Sequence, residues 1–340
     1  MRHRMLGRTG ISVSELGLGA MMLGPFGGND QETSARIVHA ALDAGVNLVD
    51  TADVYSLGES ERIVGAAIKG RRDDVVLATK FGLPMGEDPN HRGGSRRWIV
   101  RAVEDSLRRL GTDHIDLYQM HRPDPATDLS ETLGALTDLV RAGKIRAFGS
   151  SMFAADAIVE GQWAAERAGT HAFASEQLMY SIFTRRPEAA VFPAIQRYQM
   201  GALVFGPLNS GWLSGRADIA GGHRAAGQPA HFDPESVTGR VKAAALPQLR
   251  LIAQEAGLTL PQLAIGFAAA HPAVTSVLLG PRTAGQLDGA LSGAGVELPG
   301  DVLDRIDAIV APGTDVNPAD NYGTTPPALA DKNLRRRGGL

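Results

Sequence analysis

Asn47-Leu48-Val49-Asp50-Thr51-Ala52-Asp53-Val54-Tyr55 is a short apolar run that ends on an acid and enters a loop carrying a tyrosine. Two further stretches have the same form. Val75-Val76-Leu77-Ala78-Thr79-Lys80 ends on a lysine, and Ile115-Asp116-Leu117-Tyr118-Gln119-Met120-His121 ends on a histidine. In a parallel barrel, chemistry is assembled from residues at the carboxyl ends of several strands, so three apolar runs with polar endings are what such an active site requires.

Working outward, short β-branched or leucine-rich runs also occur at 16–19, 145–151, 173–178, 201–206 and 275–280, which with 47–50, 75–80 and 115–120 makes eight candidate strands. Helical patterns lie between them. Ile99, Val103, Leu107 and Leu110 share one helix face after a possible Ser95 cap, and Leu129, Leu133, Leu136 and Val140 share another. Strand and helix alternating in this way give a parallel sheet with crossovers, and eight units close into a (β/α)8 TIM barrel. The competing architecture is an open doubly wound sheet. That fold usually carries a G-x-G-x-x-G turn after its first strand, and no such motif is present. Residues 1–13 are expected to form a β-hairpin around Arg8-Thr9-Gly10, closing the barrel floor. Residues 214–240, rich in glycine with Pro229, read as a long loop at the carboxyl face after the seventh strand.

The 340 residues are 44% hydrophobic and 21% charged, which is ordinary globular composition. Because α/β barrels run to about 250 residues as one unit and grow by loop insertion, a single domain is expected over 1–340. Its barrel would span about 14–311, followed by an irregular tail over 312–340. A net charge of −3 without a basic stripe argues against a nucleic-acid partner, and the Arg335-Arg336-Arg337 run reads as a solvated end. With no cysteine, disulfides, thiolate metal sites and cysteine nucleophiles are excluded, and a cytoplasmic location is the default expectation. Met1-Arg2-His3-Arg4-Met5-Leu6-Gly7-Arg8 lacks a following apolar segment, and no apolar run reaches about 18 residues, so neither signal peptide nor membrane span is expected. Oligomeric state is left open, since no heptad pattern is present.

Asp50, Tyr55, Lys80 and His121 suit carbonyl reduction. Hydride addition places negative charge on oxygen, so a proton must be donated as the hydride arrives. A free tyrosine, with a pKa near 10, is a reluctant donor, and a neighbouring ammonium favours its phenolate. Lys80 can be that ammonium, Asp50 the carboxylate that keeps it charged, and His121 the hydrogen-bond partner of the carbonyl. Singly, each residue has a plainer reading: a strand-end acid, a rim aromatic, a surface cation, or a turn held by an Arg122–Asp124 pair. Taken together, the four argue for catalysis.

These residues resemble the tetrad of the aldo-keto reductase superfamily in order and context. Leu6-Gly7-Arg8-Thr9-Gly10, Asp50 to Tyr55 with Gly58-Glu59-Ser60-Glu61, and Asp116 to His121 carry the likeness, which runs from about Leu6 to Ile309. It implies a barrel that binds NADP(H), favoured over NAD(H), across its carboxyl face without a Rossmann domain. Cofactor positions implied by the resemblance begin with Gly19, with Ser151, Met152 and Gln177 at the carboxamide, and with Phe205 as the stacking aromatic. Pro207, Leu208, Ser210, Gly211 and Leu213 match the pyrophosphate loop, and Gly280, Arg282, Thr283 and Gln286 match the loop after the eighth strand. Arg282 suits a 2′-phosphate, because guanidinium forms charge-assisted paired bonds to phosphate oxygens. The plainer alternatives are a helix cap for Ser151, backbone pairing for Gln177, core packing for Phe205 and a helix-surface place for Gln286.

Three departures from the family pattern stand out. Met152 replaces an asparagine that bonds the carboxamide, Ala290 an asparagine near adenine, and Phe205 the more usual tyrosine. At the pocket wall, Met21 and Met22 replace bulkier or polar residues, which would suit a broad apolar substrate range. Phe26, Val54, Phe81, Trp98 and Asn209 are the remaining candidate wall residues, with core packing as their alternative.

The expected function is an NADP-dependent reductase of aldehydes or ketones acting on small-molecule carbonyl or alcohol substrates. The alternative is a cofactor-binding redox sensor or regulatory subunit with slow turnover, as in the similar potassium-channel β-subunits. A metal-dependent hydrolase is disfavoured, because the nine histidines form no H-E-x-x-H pair and no metal site is expected.

Overall fold

The computed structural model describes residues 1–216 and 232–321. Its chain begins with a hairpin, β1 (His3–Met5) and β2 (Ser12–Ser14), paired antiparallel with His3 opposite Ser14. Leu6 N–H donates to Ile11 O at 2.8 Å, and Gly10 takes a left-handed φ of 76° in the turn. The hairpin around Arg8-Thr9-Gly10 is therefore present as expected.

Eight strands then close a parallel barrel: β3 (Leu16–Gly19), β4 (Leu48–Asp50), β5 (Val76–Phe81), β6 (Ile115–Met120), β7 (Ile145–Ser151), β8 (Ser175–Met179), β9 (Gly201–Phe205) and β10 (Val274–Leu279). Neighbours in sequence are neighbours in space, and β10 returns to pair with β3, Leu278 opposite Gly17. Around it lie α1 (Gln31–Asp43), α2 (Glu59–Ala67), α3 (Arg96–Leu110), α4 (Leu129–Arg141), α5 (Ala155–Ala168), α6 (Val191–Arg197), α7 (Val237–Glu255), α8 (Leu260–Ala270), α9 (Ala284–Leu291) and α10 (Gly300–Ile309).

Local chemistry explains these boundaries. Ser95 accepts from Trp98 N–H to start α3, Gly111 ends it at a left-handed φ of 63°, and Ile99, Val103, Leu107 and Leu110 face the barrel. Such a cap contributes about 0.5–2 kcal/mol. Thr259 and Gln262 form a reciprocal capping box at the start of α8. Strand ends fall within two residues of the sequence reading, and the larger difference is at the end of the long loop. Ser236 caps α7 by accepting from Gly239 N–H, so helix begins at Val237, inside the expected loop 214–240. Residues 217–231 of that loop lie outside the described residues, as does the tail from 322 onward with Arg335, Arg336 and Arg337. Between 312 and 321 the tail is irregular apart from a bridge from Asp315 to Thr184 and a single turn over Pro318–Asn321.

Strand parity divides the molecule. Successive residues point to opposite faces, so every second side chain enters the barrel. Leu48, Ala78, Leu117, Ala147, Leu203 and Leu278 form an apolar floor inside it, plugged from below by Leu6 and Val13 of the hairpin segment. The alternate residues, such as Val49, Leu77, Tyr118 and Phe148, pack outward under the helices in the main core. Two residues above that floor come Asp50, Lys80 and Gln119, so the same parity that fills the bottom of the barrel makes its top polar.

Gly7 lets the hairpin seat. At its φ of 55° an added Cβ would stand 2.6 Å from Ala174 O and 2.8 Å from Gly201 N, whereas one at Gly10 would meet nothing within 4 Å. Gly10→Ala should therefore cost only the left-handed strain of about 1–2 kcal/mol. Gly7→Ala should cost about 1–3 kcal/mol more through backbone displacement. Urea unfolding midpoints of the two variants check this, and equal midpoints would refute the close-packed floor.

Candidate active site

Asp50 ends β4, Lys80 is the penultimate residue of β5, and His121 follows β6, so three neighbouring strands deliver them to one mouth. Tyr55 stands in the loop between β4 and α2. Lys80 Nζ is fully buried and donates to Asp50 Oδ1 at 2.5 Å, to Thr51 O at 2.8 Å and to Tyr55 OH at 3.3 Å. The rings of Tyr55 and His121 meet edge to face with centroids 5.7 Å apart. All four tetrad candidates are thus gathered within one contact network.

Burial is the largest influence on Lys80 and would lower its pKa, but the charges of Asp50 and Tyr55 and their hydrogen bonds outweigh it and hold the ammonium above the usual lysine range. His121 moves the other way. Burial first, then Lys80 and Arg122, keep its imidazole well below its ordinary pKa, so the ring is neutral. Its Nδ1 is buried with no hydrogen-bond partner among the described residues. The Arg122–Asp124 turn is not what orients it: Arg122 Nη1 donates to His121 O at 2.6 Å, while Asp124 accepts from Gly94, Ala126 and Thr127.

Sequence reasoning missed several supporting contacts, including that of Gln177 with Asp50, although Gln177 itself was a candidate cofactor residue. Gln119 and Gln177 each donate from Nε2 to Asp50 Oδ2 at 2.9 Å. Parity could have found Gln119, which sits two residues above the inward-facing Leu117. Glu61 accepts from Thr79 Oγ1 at 2.6 Å and from Arg109 Nε at 2.6 Å, tying the start of α2 to the strand residue beside Lys80. Gly58, at φ 90°, makes room for that arginine, since an added Cβ would come 2.5 Å from Arg109 Cδ. Asp53, buried beside Glu61, has its carboxyl pushed up to about 8 by burial and by that neighbouring charge.

Candidate cofactor positions ring the mouth. Ser151 Oγ donates to Gln177 O at 3.0 Å and does not cap α5, whose N-cap is Ala154. Met152 takes a left-handed φ of 59°, a conformation asparagine tolerates better. Glu176 secures the turn: its carboxyl oxygens accept from Phe153 N–H at 2.9 Å and from Ser150 Oγ at 2.5 Å, and burial raises its pKa to about 8. Phe205 is half-buried, sharing inward parity with Leu203, so its ring stands above the apolar floor. After it, Pro207 and Leu213 are buried, Leu208 O accepts from Gly211 and Leu213 N–H, and Ser210 and Gly211 have left-handed φ values. Gly19 ends β3 opposite Asp50.

Beyond β10, Gly280 is exposed and Thr283 caps α9 by accepting from Gln286 N–H, while Gln286 Oε1 accepts from Arg282 N–H at 2.8 Å. The Arg282 guanidinium has no hydrogen-bond or ion-pair partner among the described residues, in keeping with an anion-binding role. Ala290 is buried on α9. An unpartnered guanidinium at the rim and an inward aromatic over an apolar floor fit a nicotinamide dinucleotide.

Of the wall candidates, Met21 and Val54 are half-buried near the mouth, Met22 is buried and Phe26 is exposed. Phe81 is displaced from the expected place. It follows inward-facing Lys80 by one residue, so it points to the helices and stacks on Tyr118 at 4.7 Å. Trp98 is buried in α3 against His91, and Asn209 is buried beneath the rim. A surface groove of about 800 Å³ between α5 and α6 is lined by Val159, Trp163 and Pro193 among others and contains no tetrad residue. Among the described residues no cluster of histidine and carboxylate side chains could hold a metal, and no helix is long and apolar enough to cross a membrane.

Comparison with known proteins agrees with this geometry. The model of the Aldo/keto reductase family matches residues 15–311. Aldo-keto reductase YhdN of Bacillus subtilis (strain 168) is 37% identical over 295 residues, covering 85% of this chain and 87% of that protein. Uncharacterized oxidoreductase YrpG of the same organism is 35% identical over 344 residues, covering 97% and 100%. A probable voltage-gated potassium channel subunit beta of Oryza sativa subsp. japonica is 34% identical over 324 residues, covering 91% and 97%.

The Glu176 carboxyl, raised from 4.5 to about 8, holds a proton in the folded chain that the unfolded chain releases. Stability from this group is fully present below pH 4.5 and is lost as pH rises through 8. Between pH 5 and 8 melting temperature should therefore fall less steeply in Glu176→Gln than in the wild type, the contribution of His121 being common to both. Parallel slopes in differential scanning calorimetry would show that Glu176 is already ionised in the fold.

Proposed function

The chain belongs to the aldo/keto reductase family, and on that premise we propose that it is an NADP-dependent oxidoreductase reducing aldehydes or ketones to alcohols. The observation that carries this reading is one buried ammonium, Lys80 Nζ, shared between Asp50 at 2.5 Å and Tyr55 OH at 3.3 Å. When bound, the nicotinamide supplies a hydride from its C4 position.

Tyr55 gives its proton to the carbonyl oxygen of the substrate. Lys80, 3.3 Å away, favours the negative charge left on the phenol oxygen, and Asp50 keeps Lys80 charged. Gln119 and Gln177 take up the second oxygen of Asp50, which fixes that carboxylate and so the ammonium. The neutral His121 donates a ring N–H to the carbonyl oxygen, orienting it and steadying the developing charge. The same groups run the reverse alcohol oxidation.

Ser151, Met152 and Gln177 would hold the carboxamide, Phe205 the ring face, Gly19 and the Pro207–Leu213 loop the pyrophosphate side, and Gly280, Arg282, Thr283 and Gln286 the adenosine phosphate. The unpartnered Arg282 guanidinium favours NADP over NAD. Met21 and Val54, with Met22 buried behind them, give the mouth an apolar wall suited to small carbonyl compounds.

Likeness to potassium channel β-subunits supports a second reading, a regulatory subunit that retains cofactor and turns over slowly. Rates distinguish the two. With a panel of aldehydes and NADPH monitored by absorbance, Tyr55→Phe should lose about 10²–10⁴-fold in kcat while binding NADPH normally. Wild-type turnover no faster than Tyr55→Phe, with cofactor still bound, would favour the regulator. In a separate titration, Arg282→Ala should weaken NADPH by roughly tenfold or more and leave NADH unchanged. Equal losses for both cofactors would contradict the assignment of Arg282 to the phosphate.

A further inference from the structure

A second buried lysine, outside the tetrad, joins three pieces of the rim that are far apart in sequence. Lys242, on α7, is 1% exposed. Its Nζ donates to Asn209 Oδ1 at 2.8 Å and to a carboxylate oxygen of Asp320, and it stands 5.2 Å from the ring centre of Trp212 and 5.9 Å from that of Phe183. Asn209 belongs to the loop after β9, and Asp320 to the last described turn of the chain. Both are buried.

Each partner is itself anchored. Asn209 and Ser210 have consecutive left-handed φ values of 46° and 58°, an arrangement that side chains other than glycine resist and that must be held by its surroundings. Asn209 Nδ2 donates to Thr184 Oγ1 at 3.1 Å while Lys242 occupies Oδ1, so both ends of the amide are engaged. The stretch before Asp320 crosses the turn at 181–188 as a strap. Arg185 N–H donates to Thr314 O and Val316 N–H to Phe183 O, both at 2.9 Å, and Gly313 N–H donates to Glu188 Oε2 at 2.9 Å. Burial pushes the Lys242 ammonium below the usual lysine range and Asp320 opposes the shift, so removing Asp320 would strand a buried charge.

We infer that Lys242 is a positioning residue for cofactor retention: it locks the Leu208–Leu213 loop and the strap ending at Asp320 into one unit. Docking of the strap and binding of a dinucleotide phosphate along that loop then favour each other. The inference rests on the reading that this loop runs beside the pyrophosphate. Its added content is linkage. A ligand that binds the ordered loop better than the disordered one must stabilise the strap by the same free energy that the strap lends to the ligand. Lys242 and Asp320 need not touch the cofactor for this to hold. They set how fast it leaves, not how fast chemistry proceeds.

Two measurements test this. In the wild type, hydrogen exchange at the Arg185 and Val316 amides should slow on adding NADPH, a result that needs no variant. Lys242→Met and Asp320→Asn should each release NADPH roughly tenfold faster in stopped-flow fluorescence and lose the NADPH-dependent protection. Their single-turnover rate with NADPH already bound should stay within about twofold, and release from the double variant should be no faster than from the more affected single one. Exchange at those amides that ignores NADPH, or folded variants that release it at the wild-type rate, overturns this inference alone. A wild-type chain that binds neither NADPH nor NADH removes the cofactor reading and this inference with it.

Discussion

A fully buried positive charge inside the barrel governs the arrangement of everything at its mouth. Removing an ammonium from water costs several kcal/mol even after the surroundings relax, and the cost is offset only where opposite charge and well-aimed acceptors meet it. Lys80 has both: Asp50 at 2.5 Å, Thr51 O at 2.8 Å and the phenol of Tyr55 at 3.3 Å. Asp50 in turn needs its own partners, which Gln119 and Gln177 supply. The acid, the lysine and the two amides come from β4, β5, β6 and β8, which are far apart in sequence. A closed parallel barrel brings their carboxyl ends together, whereas an open sheet would leave β4 and β8 on separate strands with no shared interior.

The barrel was legible because its information is local. Apolar runs, helix faces and polar strand endings are each read within a few residues, and so Asp50, Tyr55, Lys80 and His121 could be named together. Parity explains both a gain and an error. It places Lys80 inward and so carries Phe81 outward to Tyr118, although Phe81 looks like a mouth residue on the page. What the sequence did not reveal depends on contacts across long separations. Glu61 reaches Arg109, Gln177 reaches Asp50, and Lys242 reaches Asp320, and no spacing rule marks such pairs. The start of α7 was obscured for another reason: Ser236 as a cap is a weak signal beside the glycines and the proline that precede it.

Backbone strain shows where those distant contacts are needed. Among the described residues six other than glycine have left-handed φ values, and five of them, Ser56, Leu57, Met152, Asn209 and Ser210, lie in the loops after β4, β7 and β9 at the carboxyl face. Such conformations persist only where the surroundings over-determine them. Each loop has a buried polar clamp. Glu61 with Arg109 and Thr79 holds the segment after Tyr55, Glu176 holds the turn around Met152, and Lys242 holds Asn209. Every clamp contains an ionisable side chain taken out of water, a costly way to stabilise a fold, since apolar packing of equal volume is often neutral or better. Their use at three loops on one face is therefore best explained by geometry. Apolar contacts are non-directional, whereas a buried hydrogen-bonded side chain fixes the direction as well as the distance of the backbone it meets, and a proton donor that must meet a carbonyl oxygen requires that precision.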